Sequence, residues 1–159
     1  KWRDVLMSIK IIECDIFDSG ADVIAHQVNC QGAMNSGVAK QIRERYPKVY
    51  NWYKYACDET PKNKLLGKCQ FVSIDLNLSI ANLFGQLDFG YSDNYQYTDY
   101  NALKSALYEL NKILPENSVV ALPYRIGCCR GGGDWNVVFD IINEVLGKRE
   151  VIICKLNKE

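Results

Sequence analysis

The chain has one histidine, His26, among 159 residues. A single imidazole and the absence of any C-x-x-C spacing leave no recognisable ligand set for zinc, so no metal or other cofactor is expected. An excess of charge of either sign is also missing: 19 Lys and Arg stand against 19 Asp and Glu. That balance removes the overall basic footprint of proteins that grip nucleic acid mainly through phosphates. Lys40, Arg43, Arg45 and Lys48 form a local basic cluster that reads as a solvated helix face. No run reaches the ~18 apolar residues of a membrane span, so no membrane partner is expected. Lys1-Trp2-Arg3-Asp4 lacks the apolar core of a secretion signal. The seven cysteines are odd in number, which excludes a complete intramolecular disulfide set. Cys14, Cys30, Cys69 and Cys154 lie in or beside apolar runs and read as buried thiols in a reducing, cytoplasmic setting. Linkers, repeats and low-complexity segments are absent as well.

The length suits one domain, and 48% hydrophobic with 24% charged residues is the composition of a folded one. Residues 1–8 read as an N-terminal leader and 9–156 as the domain. Short apolar runs at Ile9–Glu13, Val23–Val28, Lys68–Ile74, Ser79–Phe84, Ser118–Pro123 and Val151–Cys154 predict strands. Helical spacing predicts helices from Gly37 to Tyr46, Lys48 to Cys57, Thr98 or Asp99 to Leu114, and Asp134 to Gly147. Strands alternating with helices predict an α/β fold, a three-layer α/β/α sandwich around a mixed, largely parallel sheet. The expected assembly is a monomer.

Two strands run into glycine-rich loops that open helices. One is Val28-Asn29-Cys30-Gln31-Gly32-Ala33-Met34-Asn35-Ser36-Gly37-Val38. The other is Ile126-Gly127-Cys128-Cys129-Arg130-Gly131-Gly132-Gly133. Backbone N–H groups and a helix dipole meet at such points, which suits an anion, most often a phosphate. Neither loop has the spacing of an ATPase P-loop or a dinucleotide fingerprint. Two such loops suggest the facing walls of one cleft that closes on a diphosphate. The long segment Gly85–Asp99, with Phe89, Tyr91, Tyr95 and Tyr97, is of the length usually reserved for function or motion.

These loops, together with Asp15-Ile16, Leu65-Leu66-Gly67-Lys68, Ile80-Ala81-Asn82-Leu83-Phe84-Gly85-Gln86, Thr98-Asp99-Tyr100 and Pro123-Tyr124-Arg125-Ile126-Gly127…Gly131-Gly132-Gly133-Asp134-Trp135, resemble a macrodomain from about Ile9 to Leu156. The resemblance is to the branch of ADP-ribose-1″-phosphate phosphatases and terminal ADP-ribose–protein glycohydrolases. It implies that Asp15, with Ile16 beside it, accepts a hydrogen bond from the adenine amino group of ADP-ribose. Gly32 to Val38 then forms the first phosphate and distal-ribose loop, Ile126 to Gly133 clamps the diphosphate, and Asn29 contacts the distal ribose. Tyr91, Tyr95 or Tyr97 could stack on the adenine or pack within their own loop. His26 matches a histidine of the phosphatase-like members and reads either as a general acid or base or as a core histidine. Asp88 and Asp134 are candidates to orient a water or protonate a leaving group, with a helix cap as the other reading of Asp134.

The resemblance breaks at two points. Glycohydrolases that work through a lysine adduct carry that lysine in the segment corresponding to 82–86, where this chain has none. Their aspartate falls on Gly131. Two functions follow as expectations. One is hydrolysis of a group from the distal ribose of an ADP-ribose derivative, with ADP-ribosylated protein or nucleic acid or ADP-ribose-1″-phosphate as substrate. The other is a non-catalytic ADP-ribose reader.

Overall fold

The computed structural model describes residues 9–156; the expected leader at 1–8 lies outside them. The strands are β1 (Ile9–Glu13), β2 (Val23–Asn29), β3 (Cys69–Ser73), β4 (Ser79–Gln86), β5 (Val120–Pro123) and β6 (Val151–Lys155). The helices are α1 (Gly37–Arg45), α2 (Pro47–Glu59), α3 (Lys62–Leu65), α4 (Tyr100–Ile113) and α5 (Trp135–Leu146).

The strands form one sheet in the order β1-β6-β5-β2-β4-β3. Every neighbouring pair is parallel except β3 with β4. That exception follows from chain length. Only 74–78 join β3 to β4, too few residues for a crossover. The Asp75 carboxylate closes this turn by accepting from the Asn77 and Leu78 N–H groups at 2.8 and 2.9 Å.

Each face of the sheet is covered, as the near-continuous apolar run in β2 requires. Val23 and Ala25 pack with Leu103, Leu107 and Leu110 of α4 and Val138 and Ile142 of α5. On the opposite face, Ile24 packs with Ile42 of α1 and Val49 of α2, and Val28 with Tyr53 and Phe84. The result is the three-layer sandwich.

Local differences from the sequence reading have local causes. Residues 62–65, read as connection, make one helical turn. Residues 16–18 form a 3-10 turn because Asp15 accepts from the Phe17 N–H at 2.9 Å. Strand β4 continues to Gln86, which pairs with Asn29 across a bulge at the end of β2. None of the described helices is long and apolar enough to cross a membrane.

Candidate functional site

The sheet order creates the site. From β2 the chain proceeds toward β4, whereas from β5 it proceeds toward β6, so their carboxyl ends flank the point where the winding reverses. Open α/β sheets place ligands at such a crevice. A cleft of about 520 Å³ lies there, within the ~300–1,000 Å³ range of small-molecule sites. It runs from Asp15 and Cys154 at the ends of β1 and β6, past Pro123–Gly127 after β5, to Asn29, Gln86 and Phe89–Tyr91 beyond β2 and β4. Four strand spacings separate β1 from β4, roughly 19 Å.

One wall is the loop after β2 and the start of α1. Asn29, 7% exposed, organises this loop. Its Nδ2 donates to the Ala33 carbonyl at 2.9 Å, and its Oδ1 accepts from Gln31 N at 2.9 Å and Tyr53 Oη at 2.9 Å. The amide is therefore spent on shaping the wall. At Gly37 the backbone turns with φ +59°, a conformation glycine adopts without penalty. Ser36 occupies the N-cap of α1 but makes no side-chain cap bond. The first helical bond reaches Ser36 only from Lys40 N, so the N–H groups of Gly37, Val38 and Ala39 point out of the helix without helical acceptors. All three residues line the cleft. Helices α4 and α5 are capped instead by Asp99 and Asp134.

The facing wall is the loop after β5. It folds on itself through Ile126 N to Pro123 O, Cys128 N to Arg125 O and Gly133 N to Gly127 O. Arg125 takes φ +59°, an uncommon position for a residue with a side chain. Gly131 has no room for one: a Cβ there would lie 2.3 Å from Thr98 Oγ1 and 2.5 Å from the Gly127 carbonyl oxygen.

The floor holds polar groups that the pattern of an apolar strand conceals. Gln27 Nε2 donates to Gln86 Oε1 and to Thr98 Oγ1, both at 2.7 Å, and Thr98 Oγ1 donates to Gly127 O at 2.7 Å. These bonds tie β2, β4 and the second loop together. His26 is buried, with Nε2 2.6 Å from Asn82 Oδ1 and Nδ1 without a partner. Burial pushes its pKa from 6.5 down to about 4, against the opposing Asn82 hydrogen bond.

Of the residues singled out in the sequence, the structure brings together Asp15, Ile16, His26, Asn29, Ala33, Asn35, Ser36, Gly37, Val38, Ile126, Gly127, Cys129, Arg130 and Gly131 around the cleft. It does not bring the others. Gly32 backs onto the Lys54 side chain. Met34 is buried with Tyr53 and Phe84, and Cys128 is buried with Ile126 and Val138. Burial raises the Cys128 thiol to about 11, which removes it as a nucleophile at neutral pH. Gly132, Gly133 and Asp134 line a separate, shallow depression with Gln96, Tyr100 and Trp135. Asp134 caps α5 by accepting from Asn136 N at 2.8 Å. Asp88 is solvent-exposed and meets Gln86 only through its own carbonyl.

The aromatic candidates divide too. Tyr91 lines the cleft, with the Arg130 guanidinium 4.3 Å from its ring centroid. It belongs to the loop leaving β4, four strand positions from the Asp15 turn. Tyr95 and Tyr97 pack on each other with centroids 4.5 Å apart. Gln27 and Gln86, which line the cleft, and Asn82 and Thr98 behind it, which partner His26 and Gln27, are not among the candidate site residues singled out in the sequence. A signal was present: polar residues in a strand covered on both faces must find partners. No cluster of His, Cys, Asp or Glu among the described residues could hold a metal ion.

No protein-family profile matches the chain. It is 30% identical over 155 residues to an uncharacterized 17.5 kDa protein of the tk-vs intergenic region of Enterobacteria phage T4, covering 92% of this chain and 96% of that one. It is 35% identical over 94 residues to an ADP-ribose 1″-phosphate phosphatase of Saccharomyces cerevisiae, covering 58% of this chain and 52% of that one. It is 27% identical over 129 residues to a DNA ADP-ribosyl glycohydrolase of Mycobacterium tuberculosis, covering 78% of this chain but 34% of the relative. Among solved structures, a macrodomain protein from Streptomyces coelicolor superposes with a TM-score of 0.74 at 25% identity, covering 92% and 98% of the two chains.

Proposed function

The chain belongs to the macrodomain family, and on that premise we propose that residues 9–156 form a single domain that binds ADP-ribose and hydrolyses a group from its distal ribose. The observation that carries the reading is the meeting, in one cleft, of an uncapped helix N-terminus with a glycine turn. Backbone N–H groups of that kind cradle a diphosphate. The names of two relatives, an ADP-ribose 1″-phosphate phosphatase and a DNA ADP-ribosyl glycohydrolase, support the chemistry.

In this reading Asp15 accepts from the adenine amino group at the β1 end. Oδ1 already holds the Phe17 N–H, so the carboxylate is fixed for that task. The distal ribose then lies toward Asn29, His26 and Gly131. Hydrolysis there forms a bond from a water oxygen to the phosphorus or to the anomeric carbon. The bond to the leaving atom breaks, and the proton lost by water is balanced by the one the leaving group gains. His26, held neutral by burial and with Nδ1 without a protein partner, is not the acid. A lysine adduct plays no part, because segment 82–86 has no lysine. Substrates in this reading are ADP-ribose-1″-phosphate or ADP-ribosylated protein or nucleic acid, taken by a monomer in a reducing cytoplasm. The seven unpaired cysteines support the compartment.

A non-catalytic reader is the second reading. It is favoured by the lack of room for a carboxylate at Gly131 and by Asp88 and Asp134 lying outside the cleft. Calorimetric titration with ADP-ribose and AMP, repeated on Asp15→Ala, tests the ligand; about tenfold weaker ADP-ribose binding is expected for the variant, one charge-assisted hydrogen bond. Release of phosphate from ADP-ribose-1″-phosphate, or of ADP-ribose from modified DNA or protein, tests turnover. Binding without either release would select the reader. No binding at all would refute both.

A further inference from the structure

His26 on β2 stands opposite Asn82 on β4, and Asn82 stands opposite Gln70 on β3. His26 and Asn82 are 2% and 0% exposed. The three side chains form a row across one face of the sheet. His26 Nε2 lies 2.6 Å from Asn82 Oδ1, Asn82 Nδ2 lies 3.0 Å from Gln70 Oε1, and Gln70 Nε2 lies 3.0 Å from the carbonyl oxygen of Trp52 on α2.

The last partner sets the direction of the whole row. A backbone carbonyl can only accept. Gln70 must therefore give its NH₂ to Trp52 and offer Oε1 to Asn82. Asn82 must then donate through Nδ2 and offer Oδ1 to His26. The imidazole nitrogen that faces Asn82 has to carry the proton. Nδ1 is left as a bare acceptor, buried and without a protein partner, on a residue that contributes to the lining of the cleft. Burial keeps that ring neutral, and no charged side chain contributes to the shift.

We propose that Gln70 and Asn82 are positioning residues that hold His26 as its Nε2–H tautomer, so that Nδ1 offers a lone pair in the cleft to a hydroxyl donor. The donor is a ribose hydroxyl of the ligand or a water beside it. The inference rests on the reading of the cleft as an ADP-ribose site. A buried acceptor without a partner carries the cost of its lost hydration, and a donor brought by the ligand removes that cost. The opposite tautomer would present an N–H and could accept nothing.

The single histidine makes the test clean, because every imidazole signal in a two-bond ¹H–¹⁵N correlation spectrum comes from His26. The expected spectrum of the free protein at neutral pH has Nε2 protonated and Nδ1 bare. Where a ligand hydroxyl is the donor, addition of ADP-ribose should move Nδ1 toward the hydrogen-bonded range. If the ligand's distal hydroxyl is the donor, ADP leaves Nδ1 unmoved; if a water is the donor, the hydrogen-bonded value is already present without ligand.

Gln70 lies on the edge strand and is only half-buried, so Gln70→Leu is expected to fold. It lets Asn82 turn round, populates the Nδ1–H tautomer, and weakens ADP-ribose about tenfold while AMP is unaffected. Gln70→Glu, which still accepts from Asn82 Nδ2, should keep the parental tautomer. An Nδ1–H spectrum in the parent protein overturns the proposal, as does an Nδ1 that stays unbonded in the ADP-ribose complex. So does a Gln70→Leu protein with parental tautomer and affinity. If the parent has the Nε2–H tautomer yet does not bind ADP-ribose, the cleft reading fails and takes the use of Nδ1 with it, while the tautomer lock stands.

Discussion

Gly131→Ala puts the packing of the second loop to a direct test. A methyl at this position would lie 2.3 Å from Thr98 Oγ1 and 2.5 Å from Gly127 O, far inside contact distance. Neither atom is the free end of a flexible side chain. Thr98 Oγ1 donates to Gly127 O and accepts from Gln27 Nε2, both at 2.7 Å. The Gly131 carbonyl itself receives the N–H groups of Tyr97 and Thr98 at 2.7 and 2.9 Å. Making room for the methyl parts at least two of these bonds, at ~1 kcal/mol each, and adds overpacking strain of about 1–3 kcal/mol. The expected loss is about 3–5 kcal/mol, a large share of the ~5–15 kcal/mol that stabilises a native domain. In a thermal melt this corresponds to a fall of roughly 6–20 °C. Urea unfolding followed by circular dichroism should show a lower midpoint at an unchanged slope. Thr98→Ala removes one of the struck atoms, so Gly131→Ala should cost less in that background, which a double-mutant cycle measures. A Gly131→Ala protein within ~0.5 kcal/mol of the parent would refute the packing described. The same crowding means that Gly131→Asp should not create a working carboxylate.

Three further outcomes are expected. Arg149 is 7% exposed; its guanidinium reaches Asn111 Oδ1 at 2.9 Å and the carbonyls of Pro115 and Ser118 at 2.6 and 3.2 Å, at and past the end of α4. Arg149→Ala removes these charge-assisted bonds and the packing of a buried side chain, and should cost about 2–4 kcal/mol in urea unfolding; an unchanged midpoint would show that Arg149 does not anchor this end of α4. His26 is protonated below about 6.5 when unfolded but only below about 4 when folded, so the unfolded chain binds the extra proton between those values. Stability is therefore complete above pH 6.5 and declines as the pH falls toward 4, by about 3 kcal/mol in all; urea midpoints at pH 7.5, 5.5 and 4.5 should trace this decline, and His26→Gln should flatten it. Asn29→Ala frees the Gln31 N–H and the Ala33 carbonyl, while the Tyr53 hydroxyl keeps the Asn29 carbonyl as acceptor at 2.7 Å, so it should cost about 2 kcal/mol and weaken ADP-ribose more than AMP; parental affinity by calorimetry would show that the loop holds its shape without the amide.

The fold was legible because its signals are local. The apolar run before Asn29 and the Leu103, Leu107, Leu110 spacing mark buried strand and helix face without reference to the rest of the chain. Asp99 was read as one of two possible caps and does cap α4. The loops were legible as loops for the same reason, since glycine spacing and helix onset lie within about ten residues of each other. The residues inside them were less so. A loop that presents backbone to a cleft must anchor its other side chains behind, and so Met34 and Cys128 turn into the core while their neighbours line the wall. Nothing in the loop's own sequence separates the two sets.

Local order therefore determined the elements, their sequence and the two glycine-rich loops at strand ends, because periodicity, glycine and capping act over a few residues. Only the tertiary structure decided which polar side chains meet. Gln27 finds Gln86 and Thr98 at separations of 59 and 71 residues, His26 finds Asn82 at 56, and Gly131 is barred from carrying a side chain by a threonine from another loop. Strand register, set by the burial of whole strands on both faces, brings these groups together. A single chain of letters records each partner but not the pairing.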